Sequence, residues 1–179
     1  CVPNFSEGRD QNIINQIAQS INSVDGATLL DVDPGADTNR TVVTFVGSPE
    51  AVLEAAFQAI KTAQRLIDMR THTGEHARMG ATDVCPFVPV RGISLQECAA
   101  LAERLSQRVG EELNIPVFLY EAAASRPERS RLPDLRKGEY EGLRAKLNDP
   151  MWGPDTGPRS WSDSVAKSGG TVIGARPFL

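Results

Sequence analysis

Residues 27–47 read ATLLDVDPGADTNRTVVTFVG. β-Branched and apolar residues dominate Ala27 to Asp33 and again Arg40 to Val46, while Pro34 to Asn39 between them carries turn chemistry. This pattern predicts two strands that can pair as a hairpin around a loop suited to function. On the N-terminal side, Asp10 is placed to cap a helix whose apolar residues Ile13, Ile14, Ile17, Ile21 and Val24 recur at helical spacing, and Gly26 stops it. Before that helix, Cys1 to Phe5 reads as a strand end, followed by the turn Ser6-Glu7-Gly8. On the C-terminal side, Ser48-Pro49-Glu50 opens a long helix, with an apolar stripe through Val52, Ala56, Ala59, Ile60, Ala63 and Ile67 that predicts helix from Ala51 to Met69.

Further on, Val84 to Val90 reads as a strand that Pro86 and Pro89 push toward a sheet edge or an irregular ladder, because each removes a backbone donor. Ser94-Leu95-Gln96-Glu97 is a capping box, and its helix runs to about Leu113. Ile115 to Tyr120 is a strand, Tyr140 to Leu147 a short helix, Asp149 to Ser168 irregular, and Thr171 to Ile173 a last strand. The first six elements follow the order of a split βαβ unit. The predicted fold is therefore α/β (α+β, two-layer): a mixed sheet of about six strands with helices on one face and a ferredoxin-like βαββαβ core.

The 179 residues are 40% hydrophobic and 23% charged, which excludes a disordered or collagen-like chain. A net charge of −4 argues against a nucleic-acid coat. No apolar run approaches the roughly 20 residues of a membrane span, so neither nucleic acid nor membrane is an expected partner. Three cysteines, Cys1, Cys85 and Cys98, form no close metal or redox pair in sequence, which predicts a reduced, cytoplasmic setting.

The two histidines, His72 and His76, both lie in Arg70-Thr71-His72-Thr73-Gly74-Glu75-His76-Ala77-Arg78-Met79-Gly80, between a helix and a strand. Histidine titrates near neutrality, and a polar loop on a rigid scaffold is where such a group is put to work; a surface loop without a role is the plain alternative. The same residues spell H-x-x-E-H, the pattern of a zinc protease helix, but Gly74 and Gly80 argue against that helix and no third ligand is evident. Asp31 and Asp33 share one strand face leading into the loop that ends at Asn39 and Arg40; either they bind or they are a solvated edge. Asn4, Ser6 and Glu7 sit at a strand-to-helix turn, where both a ligand pocket and simple capping are possible. Cys85 and Cys98 read as core residues. Arg126 to Lys137 carries five basic and two acidic residues, either a solvated loop or a rim that steers anions.

Taken together, Cys1-Val2-Pro3-Asn4-Phe5-Ser6-Glu7-Gly8, Leu30-Asp31-Val32-Asp33, Thr38-Asn39-Arg40-Thr41, Gly74-Glu75-His76 with Arg78-Met79-Gly80, Asp83-Val84-Cys85-Pro86-Phe87, Gly138-Glu139-Tyr140-Glu141 and Gly174-Ala175-Arg176 run in order along nearly the whole chain. In these motifs the sequence resembles the formiminotransferase family. The resemblance implies transfer of a formimino group from N-formiminoglutamate to N5 of tetrahydrofolate, a late step in histidine breakdown, with tetrahydrofolate as co-substrate and no bound cofactor or metal. It places the catalytic histidine at His76 and its partner acid at Asp33. The family's folate-contacting stretch maps onto Gly157 to Gly169, including Pro158, Trp161 and Ser168, and is longer here around Ser162 to Lys167. Ala77 stands where the family has proline. Residues 1–179 would then be an amino-terminal subdomain, one folding unit, partnered by a carboxy-terminal subdomain or a second copy.

The chemistry of such a transfer asks for a base at the attacking amine, a role suited to neutral His76, and for a proton returned to the departing nitrogen. Both reactants carry carboxylates, for which Arg40, Arg78 and Arg176 are candidates, alongside the polar residues Asn4, Ser6, Asn39 and Glu75. Two alternatives stand beside the transferase: a folate-binding or assembly module without turnover, and a metal hydrolase built on His72, Glu75 and His76.

Overall fold

The computed structural model describes residues 1–178. Its strands are β1 (Asn4–Phe5), β2 (Ala27–Gly35), β3 (Arg40–Gly47), β4 (Thr82–Phe87), β5 (Val117–Glu121) and β6 (Thr171–Ala175), in one mixed sheet of order β2-β3-β1-β4-β6-β5. The hairpin read from residues 27–47 is present, with Ala27 opposite Gly47 and Gly35 opposite Arg40. β1 lies antiparallel between β3 and β4, whereas β6 is parallel to both β4 and β5. The first four strands thus have the ferredoxin-like order, extended by β6 and β5.

Three long helices, α1 (Gln11–Asn22), α2 (Pro49–Leu66) and α3 (Leu95–Glu112), pack on one face. Their caps are those expected: Asp10 accepts from the amides of Asn12 and Ile13, Ser48 from Ala51, and Ser94 and Glu97 form the reciprocal capping box. α2 stops short of Met69 because Ile67 turns extended; Met69–Thr71 then forms a single 3-10 turn capped by Asp68. Phe5, Ile17, Ile21, Phe45, Ile60, Phe87, Leu105 and Ile173 fill the core under these helices, together with Cys85 and Cys98.

Two expectations are corrected. The prolines do not place β4 at an edge; it is central. Pro86 accepts at its carbonyl from the Val2 amide, and because N–H and C=O of one strand residue point the same way, its ring nitrogen also faces β1. The missing donor falls opposite Val2, where one bond remains instead of two, so the irregular ladder allowed by the prolines is the one with β1, and the ladder with β6 is untouched. Nor are helices confined to one face. The short helices α4 (Leu132–Arg136), α5 (Leu143–Lys146) and α6 (Asp163–Ser168) cover the other face of the β4-β6-β5 half. There Val84, Phe118, Tyr120 and Val172 meet Met79, Leu135, Leu143, Leu147 and Val165 in a second apolar cluster. α6 lies in the stretch expected to be irregular, and only Leu143–Lys146 of the expected Tyr140 to Leu147 helix is α-helical.

Candidate functional site

Antiparallel pairing brings the end of β1, the β2–β3 loop and the start of β4 to one end of the sheet, and the start of β6 joins them there. Asn39 is buried there with φ 50, and its side chain works in two directions. Its Oδ1 accepts from the Gly8 amide at 2.9 Å, and its Nδ2 donates to the Thr73 carbonyl at 2.9 Å, tying the turn after β1 to the histidine loop. Glu75, an exposed residue, adds a backbone bond from its amide to the Asp37 carbonyl at 3.2 Å.

His72 is half-buried between two groups that fix its proton. Its Nε2 lies 3.1 Å from the Asn39 carbonyl, and its Nδ1 lies 3.2 Å from Arg78 Nε, which can only donate. The neutral ring therefore carries its proton on Nε2. Burial, more than any other influence, holds this imidazole below its ordinary pKa. His76 is bound the other way: its Nδ1 lies 2.6 Å from the Ala77 carbonyl, an acceptor, so Nδ1 is protonated and Nε2 keeps its lone pair. Both nitrogens of His72 are occupied. Among the described residues no group of three His, Cys, Asp or Glu side chains could hold a metal ion.

Arg78 is paired within the chain. Its side chain is 12% exposed, with Nη1 and Nη2 donating to Glu141 at 2.9 and 2.8 Å and Nη1 to Glu139 at 3.4 Å. Its guanidinium also lies over the Tyr140 ring, whose centroid is 6.2 Å from that of Trp161. Trp161 is thereby linked to the histidine loop.

Ser6 donates its hydroxyl to the Gly80 carbonyl at 2.7 Å, and the Ala81 amide donates to the Ser168 carbonyl at 2.8 Å. Gly169 packs against Met79 and Gly80 so closely that a Cβ on it would sit 2.3 Å from the Met79 carbonyl oxygen. Ser6, Ser168 and Gly169 thus brace the base of the loop. Gly157 and Pro158 lie two strands away, with Gly157 against Ile115 and Pro116 ahead of β5. Arg176 follows the opposite end of β6, its amide bonded to the Phe87 carbonyl.

Asp33, Val42, Asn4 and Val84 form one register row, on the face turned away from α1–α3. Asp33 is exposed and Asn4 buried, with Asn4 Oδ1 accepting from Arg40 Nε at 2.6 Å. No hydrogen bond joins Asp33 to His76 among the described residues.

Sequence reasoning gave no role to Asp83. Asn4 pairs with Val84 and Phe5 with Thr82, so Asp83 is the extra residue of a bulge. It is 1% exposed, accepts from the Met79 amide at 2.8 Å and pairs with Arg136 from α4. Burial pushes its carboxyl above the usual range, while Arg136, the Met79 amide and His76 pull it back. Arg40 in turn is lowered by burial, opposed by Asp83 and reinforced by Arg136. Asp83 and the two guanidinium groups of Arg136 and Arg40 thus lie close together, with His76 near Asp83.

No helix among the described residues is long and apolar enough to cross a membrane. The model of the formiminotransferase domain, N-terminal subdomain, matches residues 1–176. The chain is 57% identical over 179 residues to the formimidoyltransferase-cyclodeaminase of Rattus norvegicus, covering all of this chain and 32% of that protein. It is 48% identical over 176 residues to the glutamate formimidoyltransferase of Streptococcus pyogenes serotype M1, covering 98% of this chain and 58% of that protein. The protein of the same name from Thermoplasma acidophilum is 48% identical over 181 residues, with 58% of it covered. The chain therefore spans about a third of the first relative and somewhat over half of the other two. With the histidine loop, its buried braces and these matches along nearly its full length, the chain belongs to the family of the formiminotransferase domain's N-terminal subdomain.

Proposed function

We propose that this chain supplies the catalytic base of a glutamate formimidoyltransferase, which moves the formimino group from N-formiminoglutamate to N5 of tetrahydrofolate. The observation that carries the reading is the half-buried His76 ring: with Nδ1–H held by the Ala77 carbonyl, Nε2 is the nitrogen left with its lone pair. As N5 bonds to the amidine carbon, Nε2 takes the proton that N5 loses. The imidazolium then protonates the glutamate nitrogen, the bond from carbon to that nitrogen breaks, and 5-formiminotetrahydrofolate and glutamate leave. Asp33 is proposed to steady the imidazolium from the neighbouring strand end. Arg40 is the cation proposed for a substrate carboxylate, and Trp161, with Gly157 to Gly169, the wall against folate. The remaining wall belongs to a carboxy-terminal subdomain or to a second copy in a homodimer, in the cytoplasm.

In the full-length protein, His76→Ala is expected to lower kcat by about 100-fold or more, read from methenyl-tetrahydrofolate formed after acid treatment. Equal rates for wild type and variant would remove His76 from the chemistry. A folate-binding module without turnover would instead give a folate-dependent rise in Tm and no product.

A further inference from the structure

We propose that His72 is a positioning residue: as a neutral ring protonated on Nε2, it closes the base of the loop that carries His76 and fastens that base to the β2–β3 loop. The inference rests on the transferase reading for its kinetic consequence and on geometry for the rest. His76 stands between His72 and Arg78, and the bond from Arg78 Nε to His72 Nδ1 joins the two ends of this short segment. On its far side the ring donates to the Asn39 carbonyl, whose residue is anchored by Gly8 and Thr73. On the near side Arg78 is held by Glu139, Glu141 and the Tyr140 face. His72 is therefore the link through which the β2–β3 loop and the 139–141 segment jointly set where His76 sits.

Only the neutral ring can do this, because a proton on Nδ1 would oppose the Arg78 N–H. Charges facing the ring are Arg78 on its own segment, Glu7 and Arg9 from the turn after β1, and Glu141 behind Arg78. Displacing a reacting group by about 1 Å can cost two orders of magnitude in rate, so a loosened base should be felt in turnover before binding.

The full-length protein labelled with 15N-histidine tests this directly, with ring signals assigned by their loss in His72→Asn and His76→Gln. At pH 7.5 His72 should have Nε2 protonated and Nδ1 bare; the opposite tautomer or a charged ring overturns the proposal. His72→Phe keeps ring bulk without either bond, and should lower kcat about 100-fold while KM for either substrate stays within about threefold. His72→Asn, whose Oδ1 falls near the former Nδ1, should recover about a tenth or more of wild-type kcat. A folded His72→Phe protein with kcat within about twofold of wild type overturns the proposal. If His72→Phe does not fold, the tautomer measurement decides by itself. Absence of formimino transfer by wild type would defeat the transferase reading, and the tautomer measurement alone would then decide whether His72 links the two loops.

Discussion

Two imidazoles four residues apart carry their protons on different nitrogens, and in each case a backbone carbonyl makes the choice: Ala77 for His76, Asn39 for His72. The same kind of local commitment changes the meaning of Arg78. In sequence it reads as a cation waiting for a substrate carboxylate, yet Glu139 and Glu141 already pair with it, and Arg40 is the other candidate cation at this end of the sheet. The lowered pKa of His72 has a consequence for stability. Below about pH 6.5 the unfolded chain takes up a proton that the folded ring resists, so the unfolded state binds more protons and stability falls with acid. The difference in unfolding free energy between wild type and His72→Phe should therefore shrink as pH drops from about 7 to 5 and stay level above 7. Urea titrations at three pH values measure it, and a difference that grows with acid would contradict the assigned environment.

Among the elements, the three long helices were legible, and the short helices and the bulges were not. α3 announces itself through Ser94 and Glu97, whose side chains and backbones satisfy each other at the helix start. Ser94→Ala should cost about 1 kcal/mol in urea unfolding, since it leaves the Glu97 amide without its side-chain acceptor. Bulges are different. Leu29 faces Phe45 while Asp31 faces Thr44, so Leu30 is an added residue, 61% exposed, and the strand's face alternation changes phase there. The Asp83 bulge likewise depends on two registers meeting at β1. A period of two in the sequence carries no mark of either, because a bulge is a property of the pair of strands and not of one.

At the scale of the molecule, the sheet is covered fully on one face and by half on the other, and the second layer is what stiffens the site. Leu143, fully buried as the first residue of α5, belongs to the same apolar cluster as Phe118, Val172 and Met79, next in sequence to the segment that holds Arg78. Leu143→Ala should cost about 2–5 kcal/mol through the cavity it leaves. Because Glu139, Tyr140 and Glu141 precede this residue, the same variant should also lower transferase activity of the full-length protein. A destabilised variant with wild-type kcat would separate the second core from the loop.

By itself the sequence determined the hairpin, the caps and stripes of α1, α2 and α3, the ferredoxin-like order, the family, and the concentration of both histidines in one loop. These are local signals: a cap or a 3.6-residue stripe is written within a few neighbouring positions. Only the tertiary structure decided that β4 is central despite Pro86, that short helices cover a second face, and that Asp83 is buried against Arg136. It alone separated Gly157 and Arg176 from the loop and gave the two histidines opposite tautomers. The reason is physical: a proton's position, a charge's partner and a strand's place in a sheet are set by atoms that meet from distant parts of the chain, as Asn39 meets His72 and Arg78 meets Glu141.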